Sequence, residues 1–244
     1  GIRSIFFFFL IGGYLLFHHR KFVCNKAVVF GAVCNTVMAF SFVAATKLTS
    51  AANAIVLQFT EPVFVILLLW LLYKKKPGKD AILACVIVFS GILCFFFESL
   101  SSGGLLGDFL AVLSGFSYAL VMLMKKFPEA DFESSLLLSN LFSVVVGIPA
   151  YVKETEFSME IWFFMVLLGV IQFGVSYIFL SKGLDKVSPV AASLTSTIEP
   201  ILNPLLVAVF CGETVGRTAF LGALLVVGGA TVYNLRQAAK KAAG

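Results

Sequence analysis

The sequence predicts an all-α integral membrane protein, and three observations carry that prediction: its composition, the length of its apolar runs and an internal repeat. Of the 244 residues, 60% are hydrophobic and 13% charged, with a mean hydropathy of +1.01. That balance lies outside the range of soluble domains. The apolar runs, such as 6–16, 55–72 and 162–180, are bounded by charged or Gly/Pro-containing segments. Roughly 20 apolar residues at 1.5 Å rise cross about 30 Å of hydrocarbon, which is what runs of this size require. They are too long for strands and lack period-two alternation.

Taken in order, the helices are expected at 4–17, 27–45, 51–73, 80–97, 105–126, 134–152, 159–181, 189–211 and 217–236. Charge then sets the topology. If the loops are taken alternately, one side holds Arg20, Lys21, Lys26, Lys74, Lys75, Lys76, Lys79, Lys125, Lys126, Lys182, Lys186, Arg236, Lys240 and Lys241. The other holds only Arg3, Lys47, Lys153 and Arg217. The positive-inside rule makes the first side cytoplasmic, C-terminus included, and accounts for the net charge of +5 without a nucleic-acid partner. The five cysteines, Cys24, Cys34, Cys85, Cys94 and Cys211, have no disulfide or metal spacing and read as small buried hydrophobes. No cofactor is called for.

Sliding the chain against itself by 138 residues pairs Gly31 with Gly169, Ser50 with Ser188, Glu61-Pro62 with Glu199-Pro200, Gly78 with Gly216 and Gly91 with Gly229. Five helices separate equivalent points. An odd number inverts the second copy relative to the first. The charges agree, because the basic 74–79 segment aligns with 212–217, which contains Glu213. The expected organisation is a first five-helix repeat at 1–97, a second, inverted one at 105–236, and a cytoplasmic tail at 237–244. Shifted back by 138, helix 105–126 maps before residue 1. Ten helices are therefore expected, of which nine are present and the first is missing.

The stretches Lys47-Leu-Thr-Ser-Ala-Ala-Asn-Ala with Glu61-Pro62, Gly107-Asp108-Phe-Leu-Ala-Val-Leu-Ser-Gly-Phe-Ser-Tyr118-Ala, and Val187-Ser-Pro-Val-Ala-Ala with Glu199-Pro200 and Gly212-Glu213 resemble the EamA branch of the drug/metabolite transporter superfamily. The resemblance covers nearly the whole chain and implies ten helices in two inverted halves, a central cavity and alternating access. Lys75 departs from it, standing where the family often has a Glu; Glu213 keeps that Glu in the second copy.

Glu61 and Glu199 are the carboxylates expected well inside spans. An ionised side chain at bilayer depth costs about 2.5–3.5 kcal/mol on the lenient insertion scale, so something must offset it. Either they face a cavity and bind a cationic group or a proton, or they are neutral or partnered and steady the backbone at Pro62 and Pro200. Ser193, Ser196, Glu199 and Asn203 fall on one helix face at spacings of three and four, and Asn53, Gln58 and Glu61 form a similar stripe in the other copy. Two stripes related by a pseudo-two-fold suit a midplane site at a repeat interface, although hydrogen bonding between helices would use the same residue types. Gln172, Ser176, Tyr177 and Tyr118 are further cavity candidates, the tyrosines for stacking or donating to a ring. Gly107, Ala111, Gly115 and Ala119 form a small-residue stripe that reads as close helix packing.

The expected function is a secondary transporter in a plasma (cell inner) membrane that exports small organic metabolites or drugs, with a proton as a candidate coupling ion. A channel or structural membrane protein is the alternative. A membrane-embedded enzyme is disfavoured, because no zinc-type His pair, nucleophile elbow or phosphate loop is visible.

Overall fold

The computed structural model describes residues 2–17, 19, 21–97, 100, 104–151, 159–167, 170, 175–202, 206 and 216–242. Among them there is no strand. The elements are α1 (Ile2–Phe17), α2 (Lys26–Leu48), α3 (Ala51–Gln58), α4 (Glu61–Tyr73), α5 (Lys79–Phe96), α6 (Leu105–Leu123), α7 (Phe132–Tyr151), α8 (Met159–Leu167), α9 (Ser176–Leu184), α10 (Pro189–Ser196) and α11 (Arg217–Ala242). Among the described residues, five stretches are long and apolar enough to cross a membrane: Lys26–Leu48, Ala51–Tyr73 across its break, Lys79–Phe96, Leu105–Lys126 and Arg217–Lys240. Large apolar side chains stand open on them, with Leu71 at 70% and Leu106 at 62% exposure. In water such a surface would aggregate, and in lipid it is solvated. The protein is an all-α integral membrane protein that spans the bilayer several times.

The helix ends follow local chemistry. Asn25 Oδ1 accepts from Val28 N at 2.8 Å and opens α2. Asp131 Oδ1 accepts from Ser134 N at 2.7 Å, which starts α7 two residues earlier than the apolar pattern predicts. Lys74, in the left-handed region at φ 52°, ends α4. The last helix does not stop at 236. The strong helix formers of Gln237-Ala-Ala-Lys-Lys-Ala carry it to Ala242, so most of the expected tail is helical.

The chain forms two compact units, 1–37 with 123–186 and 38–122 with 187–244. In the first, α1 packs along α7, and Phe6 meets Trp162 of α8 edge-on at 6.1 Å between ring centres. Asn35 Nδ2 donates to Ser139 Oγ at 2.8 Å, tying α2 to α7. Gly31 allows the same approach, because a Cβ there would strike Met124 and Ser135.

In the second unit α5 and α11 form the most extensive helix pair, running antiparallel. A Cβ on Gly91 would lie 2.8 Å from Leu225 Cβ and 2.9 Å from Val226 Cγ2. A Cβ on Gly229 would lie 3.0 Å from Ile87 Cγ2 and 3.1 Å from Val88 Cγ2. Adding 138 to 87, 88 and 91 gives 225, 226 and 229, so each helix presents the same surface to the other, as in an isologous contact. The stripe on α6 is closely packed too: Gly107 abuts the Leu48–Thr49 backbone, Gly115 abuts Gln58, and Ala111 and Ala119 are fully buried.

A Cβ at Gly222 would come within 2.5 Å of Gly91 O and Phe95 N, both backbone atoms that cannot swing aside. Gly222→Val is expected to lower stability by about 1–3 kcal/mol, the usual cost of overpacking. Gly228→Ala, with nothing within 4 Å of its Cβ position, is expected to be close to neutral. Thermal unfolding of both variants in detergent checks the contrast.

Candidate functional site

The site is built on two interrupted helices. Ser50 caps α3, its Oγ accepting from Asn53 N at 3.1 Å, and Ser188 caps α10, accepting from Ala191 N at 3.2 Å. Each helix runs eight residues and then breaks, the first at Phe59–Thr60 and the second at Thr197–Ile198. The hydrogen bonds across the two breaks correspond one for one. Thr60 N donates to Leu57 O, and Val63 N and Phe64 N both donate to Thr60 O; Ile198 N donates to Thr195 O, and Ile201 N and Leu202 N both donate to Ile198 O. Every member of the second set is 138 residues beyond its counterpart.

Proline explains both breaks. Pro62 has no N–H for the Gln58 carbonyl four residues back, and Pro200 has none for Ser196. At the first break, Gly115 lets α6 come directly against the freed Gln58 carbonyl. Threonine hydroxyls also bond inside the loosened turns, Thr60 Oγ1 to Leu57 O at 2.7 Å and Thr197 Oγ1 to Leu194 O at 2.6 Å.

Helix resumes at Glu61 and at Glu199, and here the two copies differ. Glu61 is fully buried and Glu199 is exposed. Ser193 of α10 stands beside the Glu61 carboxyl without reaching hydrogen-bond geometry, and Cys85 of α5 is also within electrostatic reach. Both carboxylate oxygens of Glu61 and the Ser193 Oγ therefore lack hydrogen-bond partners among the described residues. Buried polar atoms are rarely left so, because each forfeits its hydration without a replacement.

The other sequence candidates divide into several groups. Gln58 Nε2 donates to Ser114 Oγ at 2.8 Å, and Ser114 Oγ donates to Met38 O at 2.9 Å, a chain that ties α3, α6 and α2 together. Asn53 Nδ2 donates to Thr49 Oγ1 at 3.2 Å, and Thr49 Oγ1 donates to Asp108 Oδ1 at 2.8 Å. Both side chains are thereby engaged in holding helices together. Ser196 is half-buried, its Oγ donating to Ala192 O at 3.1 Å. Because the helix breaks at 197–198, Ser193, Ser196 and Glu199 do not form one uninterrupted stripe: burial falls from complete to slight along them. Tyr118 is half-buried on α6, while Ser176 is exposed and Tyr177 half-buried at the start of α9 in the other unit. Gln172 and Asn203 lie outside the described residues.

Sequence patterns missed one carboxylate. Glu133, in the first turn of α7, is 6% exposed; it accepts from Ser181 Oγ at 2.5 Å and lies 3.9 Å from Lys125 Nζ, which also binds Asp185 Oδ2 at 2.8 Å. It was hidden because the apolar pattern begins only after it, which made it look like a solvated helix end.

A polytopic helical bundle with paired proline-broken helices and intramembrane carboxylates has the features of a membrane carrier. Comparison with known proteins is specific: the model of the EamA-like transporter family matches residues 1–97 and 105–235. The chain belongs to the EamA-like transporter family and is a membrane transporter. It is 26% identical over 205 residues to an uncharacterized transporter of Archaeoglobus fulgidus, covering 82% of this chain and 73% of that one. It is 23% identical over 222 residues to the uncharacterized inner membrane transporter YicL of Salmonella typhimurium, covering 85% and 72%. It is 25% identical over 193 residues to GDP-fucose transporter 1 of Dictyostelium discoideum, covering 71% of this chain and 50% of that one. A crystal structure shares the fold with a TM-score of 0.79 over 96% of this chain and 85% of its own, at 16% identity.

Removing the Ser114 hydroxyl leaves Gln58 Nε2 and Met38 O without their shared partner. Ser114→Ala is expected to cost about 0.6–2 kcal/mol of stability, the range of interhelical hydrogen bonds in membranes. Thermal melts of the purified variant check this, with the melting temperature lowered.

Proposed function

We propose that this transporter is a secondary carrier that exports small organic metabolites or drugs across the plasma membrane by alternating access. In this reading the chain is organised as two inverted repeats, 1–97 and 105–236, with the C-terminus cytoplasmic. One observation supports the mechanism above the others: equivalent Glu-Pro breaks place one carboxyl, Glu61, in full burial and the other, Glu199, in the open. Inverted repeats that exchange conformations would produce such inequality, each half adopting in turn the arrangement of the other. Pro62 and Pro200 are the flex points, since a helix already broken bends at little further cost.

Glu61 and Ser193 are the central binding pair of this proposal. Their unsatisfied oxygens accept from a cationic or zwitterionic solute, or Glu61 takes up a proton that couples transport. Glu199 is the counterpart that engages solute when the halves exchange. Ser196, Asn203, Gln172, Ser176, Tyr177 and Tyr118 are the further residues proposed for solute contact, and Gln58, bonded to Ser114, and Asn53, bonded to Thr49, complete the set. The name of the Dictyostelium relative makes nucleotide sugars one class of solute to include in a screen.

The test is a thermal-shift screen of the purified protein against amines, amino acids, nucleobases and nucleotide sugars, followed by counterflow in liposomes. A ligand at 100-fold excess over its Kd is expected to stabilise the folded state by about 2.7 kcal/mol. The shift should vanish in Glu61→Gln and weaken in Glu199→Gln. Shifts that survive both substitutions would assign the carboxyls to architecture alone and sink the proposed site.

A further inference from the structure

Away from the broken helices, the second unit holds a groove of about 250 Å³ between α5 and α11. Leu83 and Ile87 line it on one helix, and Leu224, Gly228 and Val232 on the other. Leu83, Leu224 and Val232 are each more than half exposed, so the groove opens outward from the unit. Its α11 wall, from Leu224 to Arg236, measures about 18 Å at 1.5 Å rise per residue. That is close to the depth of a single leaflet, about half of the 30 Å hydrocarbon core.

The groove changes character at one end. There Asp80 Oδ2 accepts from Lys240 Nζ at 2.5 Å and Asp80 Oδ1 from Arg236 at 3.4 Å. Two cations against one carboxylate leave an excess of positive charge, and the neighbouring Lys79 is exposed. Both cations keep further N–H donors after serving Asp80, since Lys carries three and Arg five.

We infer that this groove is a binding site for an acidic phospholipid, one acyl chain lying between α5 and α11 and the phosphate meeting Arg236 and Lys240. The apolar length fits a chain spanning one leaflet, and the basic end fits an anionic headgroup at the interface. A zwitterionic lipid brings its own cation to a site already rich in them. A free phosphate cannot use the apolar wall. The inference concerns the lipid-facing side of the α5–α11 pair and does not depend on the transport mechanism proposed above.

The experiment measures binding and thermal stability of the full chain in neutral detergent with dioleoyl phosphatidylglycerol, dioleoyl phosphatidylcholine or glycerol phosphate. Phosphatidylglycerol should bind best and raise the melting temperature. Arg236→Gln should weaken its binding about fivefold, and Asp80→Asn should tighten it by a similar factor, as expected for one charge near the membrane surface. Gly228→Leu should fill the groove and abolish the phosphatidylglycerol shift, because open space surrounds its Cβ position. Equal binding of the two lipids, an equal effect of glycerol phosphate, or weaker phosphatidylglycerol binding by Asp80→Asn would overturn the inference. The opposite signs at Asp80 and Arg236 decide the matter even if Gly228→Leu impairs folding, because loss of a merely structural ion pair would give the same sign for both.

Discussion

In hydrocarbon no water is available to satisfy backbone N–H and C=O groups, and this constraint governs the structure at each point where a helix departs from regularity. Pro62 and Pro200 each delete a donor in the middle of an apolar stretch. At the first break the freed Gln58 carbonyl lies directly against α6 at Gly115, and threonine hydroxyls take up carbonyls in the loosened turns. The first break is thus packed against a neighbouring helix, with the Glu61 carboxyl buried just beyond it. Glu61 begins a helix with its side chain inside protein, where an unpaired charge would be costly.

The second constraint is close approach. Lipid tails supply little drive for apolar side chains to leave them, so helices associate by packing where small residues let backbones meet. Gly91 and Gly222 bring α5 and α11 into backbone contact, and the reciprocal pattern at Gly229 makes the crossing nearly self-complementary. On the open side of the same pair, Gly228 has no neighbour at its Cβ position and lines the outward groove. One helix pair therefore provides both a close backbone crossing and a groove on its open side.

Membership of the EamA-like transporter family gives these features a common purpose. Crossings at glycine and chains such as Gln58–Ser114–Met38 hold neighbouring helices together.

The fold class and the family were legible in the chain because each rests on local or repeated signals: apolar run length, and motifs such as Glu-Pro that recur at a 138-residue offset. The serine caps at Ser50 and Ser188 were legible for the same reason, since a cap is set by its own next few residues. Tertiary structure alone decided which polar groups are used up in holding helices together. Gln58 and Asn53 fitted either a cavity face or hydrogen bonding within the bundle in the sequence, and the structure supplies the bonds to Ser114 and Thr49. Glu133 looked like a solvated helix end, yet it is buried against Ser181. Equal motifs gave Glu61 and Glu199 equal standing in the sequence, and only packing made one inaccessible and the other open. The physical reason is that burial and hydrogen-bond satisfaction depend on partners from distant segments, which helical periodicity does not encode.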